Sequence, residues 1–183
     1  MSELEQGLAE ISQLRRESST LDLIVRRPAV NEREVLDEGE LDTAIGLVGD
    51  RWHSRGGSRT TADASATDTQ LTIMDSRVIQ LLAQSRDRWA LAGDQLYVDL
   101  DLSVENLPTG TQLALGSAVI EVTAQPHTGC DKFVSRFGLD AMKFVNSPAG
   151  RKHRLRGLYA RVIRPGAIRV GDTVRKLATS AAS

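Results

Sequence analysis

The sequence predicts a mainly β protein of the α+β class, an antiparallel β-barrel with short helical insertions. Three observations support this fold: many short runs that alternate apolar and polar residues, frequent glycine turns between them, and few segments with helical periodicity. The 183 residues are enough for one domain with a substantial core. The sequence contains neither an internal repeat nor a dinucleotide-binding glycine fingerprint.

Residues 1–45 are predicted to supply an N-terminal helix and the first strand of the same domain that residues 46–177 complete. The apolar spacing within 2–17 is typical of an amphipathic helix, and the alternating run 20–27 is a strand that Pro28 ends. An acidic connection follows. The small polar residues 178–183 predict a disordered tail.

The later elements follow from the same patterns. A helix is expected to start at the N-cap residue Ser76 and to continue to about Asp87. Residues 60–69 have the composition of a loop, which could act as a mobile lid, and residues 146–150 also form a loop. Alternation predicts further strands at 70–74, 96–102, 113–115, 118–123, 158–163 and 167–174.

The stretch from Pro126 to Phe133 contains the only cysteine of the chain, Cys130. A strand leads into it, and Gly129 allows a sharp turn just before the sulfur. The apolar spacing of 131–137 predicts a short helix with Gly138 as its stop, and 140–144 a further helical turn. Cys130 is therefore expected at a corner between a strand and the N-terminus of a helix.

This position has chemical consequences for the thiol. A free thiol has a pKa of about 8.5, and a helix N-terminus or nearby cations lower it to roughly 3.5–7.5. His127, Lys132 and Arg136 are close to Cys130 in sequence. A thiolate is a nucleophile, a sulfur carrier and a ligand for soft metals. The alternative is that Cys130 is a small buried apolar residue.

Charge is distributed unevenly along the chain, although the net charge is only −1. Residues 1–50 carry twelve carboxylates against five arginines, whereas residues 141–171 carry eight cations and no carboxylate. The basic segment is a candidate anion site or a solvated surface. Aromatic residues make up only 4%, which argues against nucleic acid as a partner.

Other function classes are excluded by composition. No apolar run approaches the ~20 residues of a membrane span, and the acidic N-terminus lacks the features of a signal peptide. A single cysteine excludes an internal disulfide framework and is typical of a reducing cytoplasm.

Two further polar stretches are candidates for ligand contacts. Arg51 could reach an anion beside an apolar wall formed by Trp52, or Asp50 and Arg51 could be an ordinary pair in a β-turn. Asn106 could orient a ligand or could cap its own turn.

Several motifs together resemble the MOSC family, the C-terminal domain of eukaryotic molybdenum cofactor sulfurases and their stand-alone bacterial relatives. The resemblance spans roughly residues 46–177, and its specificity lies in the order of the motifs around the cysteine. The matching residues are 46–51 (Gly-Leu-Val-Gly-Asp-Arg), 105–107 (Glu-Asn-Leu), 127–133 (His-Thr-Gly-Cys-Asp-Lys-Phe), 156–162 (Arg-Gly-Leu-Tyr-Ala-Arg-Val) and 165–172 (Pro-Gly-Ala-Ile-Arg-Val-Gly-Asp).

The resemblance implies a MOSC β-barrel in which Cys130 is the reactive cysteine. In such domains this residue carries sulfur as a persulfide or binds the molybdenum of a pterin cofactor, so Cys130 is also the candidate metal ligand. His127 and Lys132 are the other candidate catalytic residues. The residues expected to bind the molybdenum–molybdopterin cofactor and its phosphate are Arg51, Asn106, Arg136, Arg154 and Arg156.

Three functions remain open at this stage. The first is a sulfur carrier or sulfurtransferase, and the second is a molybdopterin-dependent reductase of N-hydroxylated compounds with Cys130 on the metal. The third is a non-catalytic barrel that binds an anionic ligand. The family is also associated with pyridoxal phosphate, but the sequence has no room for a desulfurase domain. We therefore expect a separate cysteine desulfurase or a molybdoenzyme as partner.

Overall fold

The computed structural model describes residues 3–13, 19–55 and 66–178. These residues form five α-helices and eleven strands, with short 3-10 helices between them. The helices are α1 (Glu3–Gln13), α2 (Ser76–Ala83), α3 (Asp131–Phe137), α4 (Leu139–Asn146) and α5 (Pro148–Lys152). The strands are β1 (Ser19–Arg26), β2 (Glu34–Leu36), β3 (Glu38–Asp42), β4 (Gly46–Leu47), β5 (Leu71–Asp75), β6 (Leu96–Val98), β7 (Gln112–Leu115), β8 (Ala118–Val122), β9 (Leu158–Arg164), β10 (Gly166–Arg169) and β11 (Thr173–Lys176).

Seven strands close into a barrel, as the sequence predicts. The order is β11-β7-β8-β9-β5-β6-β1, and β1 pairs with β11 through Ser19 and Val174 to complete the ring. The pairs are antiparallel except β5–β6, which is parallel because α2 and a 3-10 helix carry the chain across between them. A three-stranded sheet, β10-β3-β4, lies beside the barrel.

Two apolar clusters divide the molecule into a barrel interior and a helical layer. Alternate strand residues such as Leu21, Ile73 and Ile120 fill the barrel. The residues that alternate with them, including Met74, pack outward against α2, α3 and α4. Phe133 of α3 is buried in this second cluster, so the helix that follows Cys130 is held firmly against the barrel.

The structure differs from the sequence prediction at several elements. The acidic connection contains β2 and β3, and 148–152 is a short helix because Ser147 accepts a hydrogen bond from the Gly150 amide. Helix α2 ends at Ala83, where Gln84 adopts φ 64°, and its N-cap is Asp75 rather than Ser76. Most of the predicted loop 60–69 and of the predicted tail 178–183 lies outside the described residues.

The strand predicted at 96–102 ends at Val98. The Asp101 side chain accepts a hydrogen bond from the Ser103 amide, which turns the chain away from the sheet. Within the described segments, no helix combines the length and apolar character that a bilayer crossing requires.

Candidate functional site: a cationic cavity beside Cys130

Cys130 is the N-cap residue of α3 and is exposed. Its carbonyl oxygen accepts hydrogen bonds from the amides of Phe133 (2.8 Å) and Val134 (3.1 Å), which start the helix. The residue before it is clamped by Asn146 of α4, whose side chain accepts from the Gly129 amide (2.9 Å) and donates to the Gly129 carbonyl (3.2 Å). The backbone is therefore held by hydrogen bonds both before and after the exposed Cys130.

Cys130 opens onto a cavity of about 490 Å³. Six cations line this cavity, and the only lining carboxylate among the described residues is Asp131. The six are Arg27, Arg33, Arg51, Lys132, Arg136 and Arg156. They come from the end of β1, two turns, helix α3 and the turn that precedes β9, so only the folded chain concentrates this positive charge.

Two of the six cations are neutralised by buried carboxylates behind the cavity wall. Arg27 donates two hydrogen bonds to Asp50, from Nε to Oδ2 at 2.9 Å and from Nη2 to Oδ1 at 2.8 Å. Burial raises the pKa of Asp50, but the bonds from Arg27 outweigh burial, and the net pKa is below its ordinary value. Arg156 donates from Nη1 to Asp94 Oδ2 at 2.8 Å.

Asp50 therefore does not pair with Arg51, which was the alternative that the sequence left open. The Asp50 side chain accepts from the amides of Arg27 and Trp52 in addition to the Arg27 guanidinium, so its oxygens are occupied. Within the described residues, Arg51 has no ion-pair partner, and its side chain lines the cavity. Trp52 lines the cavity next to it.

Arg33 and Arg136 are held by backbone carbonyls rather than by carboxylates. Arg33 donates to the carbonyl of Ala90 (3.3 Å), and Arg136 to that of Leu91 (2.9 Å). Burial and the nearby charges of Arg136, Arg27 and Arg51 lower the pKa of Arg33. Burial and the neighbouring positive charges therefore both disfavour the charged form of Arg33 at this end of the cavity.

His127 and Arg156 line the floor of the cavity, and the fully buried Asp94 lies behind them. His127 Nδ1 lies 3.7 Å from Asp94 Oδ1, and the His127 ring packs on Tyr159 with centroids 4.5 Å apart. The Arg156 guanidinium lies 5.0 Å above the ring of Phe133 and donates to the Ala92 carbonyl at 3.0 Å. The Arg156 side chain is therefore held in place by Asp94, Ala92 and Phe133, and it has little freedom to bind a ligand.

A comparison with protein-family models matches residues 77–175, more than half of the chain, to the MOSC domain. The chain belongs to the MOSC domain family. This family is associated with binding of the molybdenum cofactor. A search of the curated proteins finds no match.

Solved structures share the MOSC fold with this chain. The YUAD protein from Bacillus subtilis aligns with a TM-score of 0.58 at 16% identity, covering 87% of this chain and 96% of the other. YiiM from Escherichia coli aligns with a TM-score of 0.57 at 19% identity, covering 89% and 72%. YiiM from Geobacillus stearothermophilus gives 0.57 at 14% identity, covering 87% and 75%. At these identities the likeness is one of fold.

The structure brings together most of the residues that the MOSC resemblance singled out. The residues from that set that line the cavity are Cys130, His127, Lys132, Arg51, Arg136 and Arg156.

Asn106 and Arg154 lie elsewhere. Asn106 lines a different cavity and donates to the Asp101 carbonyl (2.6 Å), which is the turn-capping alternative. Arg154 adopts φ 47° and donates to the carbonyls of Leu102 and Leu107. Both side chains hold the 101–107 turn and are absent from the lining of the Cys130 cavity.

Sequence reasoning missed Arg27, Arg33, Asp94 and Tyr159. Arg27 follows the last residue of β1 and precedes Pro28. A cation at a strand end that is followed by a turn could have indicated a residue of the site. Arg33 lies in the predicted acidic connection, and a single cation among carboxylates could have indicated that it has a separate role. Asp94 gave no signal, because its role depends on contact with a residue 62 positions away.

Among the described residues, no cluster of three or more His, Cys, Asp or Glu side chains could hold a metal ion. Cys130 is the one thiol in the chain.

Proposed function

We propose that this MOSC protein binds the molybdenum cofactor and carries sulfur on Cys130 as a persulfide. The observation that supports the proposal is the exposure of the only thiol at the mouth of a cavity lined by six cations. Positive charge stabilises a thiolate and a persulfide anion over their protonated forms. It also attracts an anionic cofactor or substrate to the sulfur.

The cavity residues fit the proposed cofactor. Arg51, Arg33 and Arg136 have no carboxylate partner among the described residues and line the cavity, so they are available to a phosphate. Trp52 and Tyr159 provide flat apolar surface for a ring system. The cofactor would supply a soft metal that accepts sulfur.

The chain's own contribution is a sulfur transfer at Cys130. The thiolate of Cys130 attacks the terminal sulfur of a donor persulfide, the donor sulfur–sulfur bond breaks, and the donor leaves as a thiolate. Cys130 then holds the sulfur in a new sulfur–sulfur bond, with no net oxidation. Lys132 and the cavity arginines stabilise the negative charge, and Asp94 lies beside His127.

Incubation with a persulfide-loaded cysteine desulfurase tests this proposal. We expect one cyanide-releasable sulfur per chain in the wild type and none in Cys130→Ser. We also expect iodoacetamide to alkylate Cys130 at pH values where free cysteine reacts slowly, because the cations favour the thiolate.

A matched control moves the thiol along the same helix. Ser135 is exposed on α3 and does not line the cavity, so Cys130→Ser/Ser135→Cys retains one accessible thiol outside the cationic site. Equal sulfur loading by this variant and by the wild type would sink the proposal. Bound molybdenum that depends on Cys130, without releasable sulfur, would favour the reductase instead.

A further inference from the structure

Asn146, the last residue of α4, holds the backbone one residue before the thiol. Its Oδ1 accepts a hydrogen bond from the Gly129 amide at 2.9 Å, and its Nδ2 donates to the Gly129 carbonyl at 3.2 Å. The side chain thus pairs with both polar backbone groups of one residue, as a neighbouring strand does. Gly129 directly precedes Cys130, so its position determines where the Cys130 backbone begins.

The segment that contains Gly129 depends on contacts of this kind. The structure describes all of residues 123–130, and none of them belongs to a helix or strand. Backbone groups in such a segment find their partners in other elements rather than in a ladder. After the thiol, the chain is anchored by Phe133, which is 2% exposed. Before the thiol, Asn146 supplies an anchor from 17 residues away in sequence.

Met142 fixes the orientation of the Asn146 amide. Asn146 Nδ2 also donates to Met142 Sδ at 3.2 Å, one helical turn earlier in α4. A thioether sulfur accepts hydrogen bonds but cannot donate them, so it faces the nitrogen end of the amide. Reversal of the amide would place its oxygen against two acceptors and its nitrogen against a donor. One orientation therefore satisfies Gly129 and Met142 together.

The surface of α4 fits closely against Gly129. A side-chain carbon on Gly129 would lie 3.2 Å from Val145 Cγ2 and 3.3 Å from Met142 Cγ. Val145 is 2% exposed and belongs to the apolar cluster of the helical layer, so this surface has little room to move. Asn146 therefore reaches Gly129 from a rigid helix and holds the backbone before the thiol in one position.

The position of the Cys130 sulfur decides how strongly the cavity cations act on it. The attraction between a thiolate and a cation falls with their separation, and water between them weakens it further. Lys132 and the cavity arginines therefore favour the thiolate most when the sulfur is held at the cavity. A backbone released at Gly129 would let the sulfur move away from these cations. It would also reach the geometry for attack on a donor sulfur less often.

We propose that Asn146 is a positioning residue for the sulfur transfer at Cys130, acting through Gly129 with its amide oriented by Met142. Asn146 does not line the cavity, so it acts through the backbone and not by contact with a ligand. This inference rests on the proposed function only for the transfer step. The effect of Asn146 on the reactivity of the thiol needs no sulfur donor.

Alkylation of Cys130 by iodoacetamide between pH 5 and pH 9.5 tests the positioning role. We expect Asn146→Ala to move the midpoint of the rate profile to higher pH and to slow the reaction about fivefold at pH 7, the factor that corresponds to one hydrogen bond of ordinary strength. Asn146→Asp keeps an acceptor for the Gly129 amide, loses the donor to the Gly129 carbonyl and adds a negative charge beside the loop. Its midpoint should therefore move further than that of Asn146→Ala.

Sulfur loading separates positioning of the thiol from binding of the donor. With persulfide-loaded cysteine desulfurase, we expect Asn146→Ala to lower the maximal rate of loading. The donor concentration that gives half of this rate should stay unchanged, because the Asn146 side chain does not line the cavity. Met142→Leu keeps the apolar volume and removes the sulfur acceptor, so it should shift the alkylation profile in the same direction by a smaller amount.

Gly129→Ala tests the same contact from the other side, whether or not Asn146→Ala is stable. The added methyl group would lie 3.5 Å from Asn146 Nδ2 and closer still to the apolar side chains of α4, so it should push the loop away from the helix and slow alkylation. The double variant Gly129→Ala/Asn146→Ala should react no more slowly than the slower single variant, because both changes break one contact. Losses that multiply in the double variant would contradict the proposal.

Thr111→Val is the matched control. The Thr111 hydroxyl donates to the Pro108 carbonyl at 2.6 Å, so this variant also removes a side-chain contact that holds a turn, but Thr111 does not line the cavity. Its alkylation profile should follow that of the wild type. Equal slowing in Thr111→Val and Asn146→Ala would overturn the positioning role, as would an unchanged profile in Asn146→Ala. Absence of sulfur loading in the wild type would defeat the proposed function and leave the alkylation results standing, so the two proposals fail separately.

Discussion

Asp94 is fully buried, and its charge is balanced by Arg156 at 2.8 Å. Burial raises the pKa of Asp94, and the attraction of Arg156 opposes that rise without overcoming it. The arginine that the sequence presented as a phosphate clamp is therefore committed to a structural pair. This pair supports His127 and packs on Phe133, so it shapes the site without being free to bind a ligand.

Removal of one member of this pair leaves the other as an uncompensated buried charge. We expect Asp94→Ala to lower the free energy of unfolding by about 3–5 kcal/mol, measured by urea denaturation. The double variant Asp94→Ala/Arg156→Met should be less destabilised than the sum of the single variants, because it has no orphaned charge. Additive losses would contradict this account of the pair.

At the scale of elements, Gly157 joins the helical segment to β9 and allows β9 to pair with β5. Its φ is +95°, and a side-chain carbon there would collide with the Ile73 carbonyl. The pairing of Ile73 with Leu158 begins at the next residue, and His127 Nδ1 lies 3.5 Å from the same position. Glycine is therefore required for the contact between strands and for the adjoining site.

Gly171 supplies a matched control for this contact. It has the same φ of +95°, but a side-chain carbon there would meet nothing within 4 Å. Both alanine variants carry backbone strain, and Gly157→Ala adds a collision, which we expect to cost about 1–3 kcal/mol more. Equal unfolding free energies for the two variants would show that the close approach is unimportant.

At the scale of the whole molecule, the barrel and the helical layer meet at Asp75. This residue ends β5, caps α2 and pairs with Arg77, which also contacts Asp99 at 3.2 Å. Burial raises the pKa of Asp75 to about 6, against the opposing charge of Arg77. The junction between the two layers therefore contains a carboxyl group, that of Asp75, which changes its protonation state near pH 6.

The sign of the resulting pH dependence follows from the raised pKa. The folded state holds the Asp75 proton more tightly than the unfolded chain does, so this contribution to stability is complete below pH 3.8 and is lost as pH rises through about 6. Over that window, the wild type should lose at most about 3 kcal/mol relative to Asp75→Asn. Asparagine keeps the helix cap, so the comparison isolates titration.

Chemical denaturation between pH 3.5 and pH 7.5 measures this difference. Asp37→Asn, which changes an exposed carboxylate between β2 and β3, serves as the control and should follow the wild type. Parallel curves for the wild type and Asp75→Asn would contradict the assignment.

Local patterns predicted much of the fold. Alternation located six of the barrel strands, and the apolar spacing after Cys130 located α3 with its observed bounds. The patterns failed where tertiary contact overrode them. β2 and β3 lie in a segment whose carboxylates suggested a connection, yet β3 is an ordered strand because β10 pairs with it from Gly166 to Arg169.

The sequence by itself determined the barrel class, the family and the place of the one thiol at the start of a helix, because periodicity, glycine turns and motif order are local properties of the chain. Only the tertiary structure decided which cations remain available to a ligand. Asp50 pairs with Arg27, which is 23 residues away in sequence, and not with its neighbour Arg51. Asp94 pairs with Arg156, which is 62 residues away. Ion pairs form between segments that folding brings together, so proximity along the chain does not decide them.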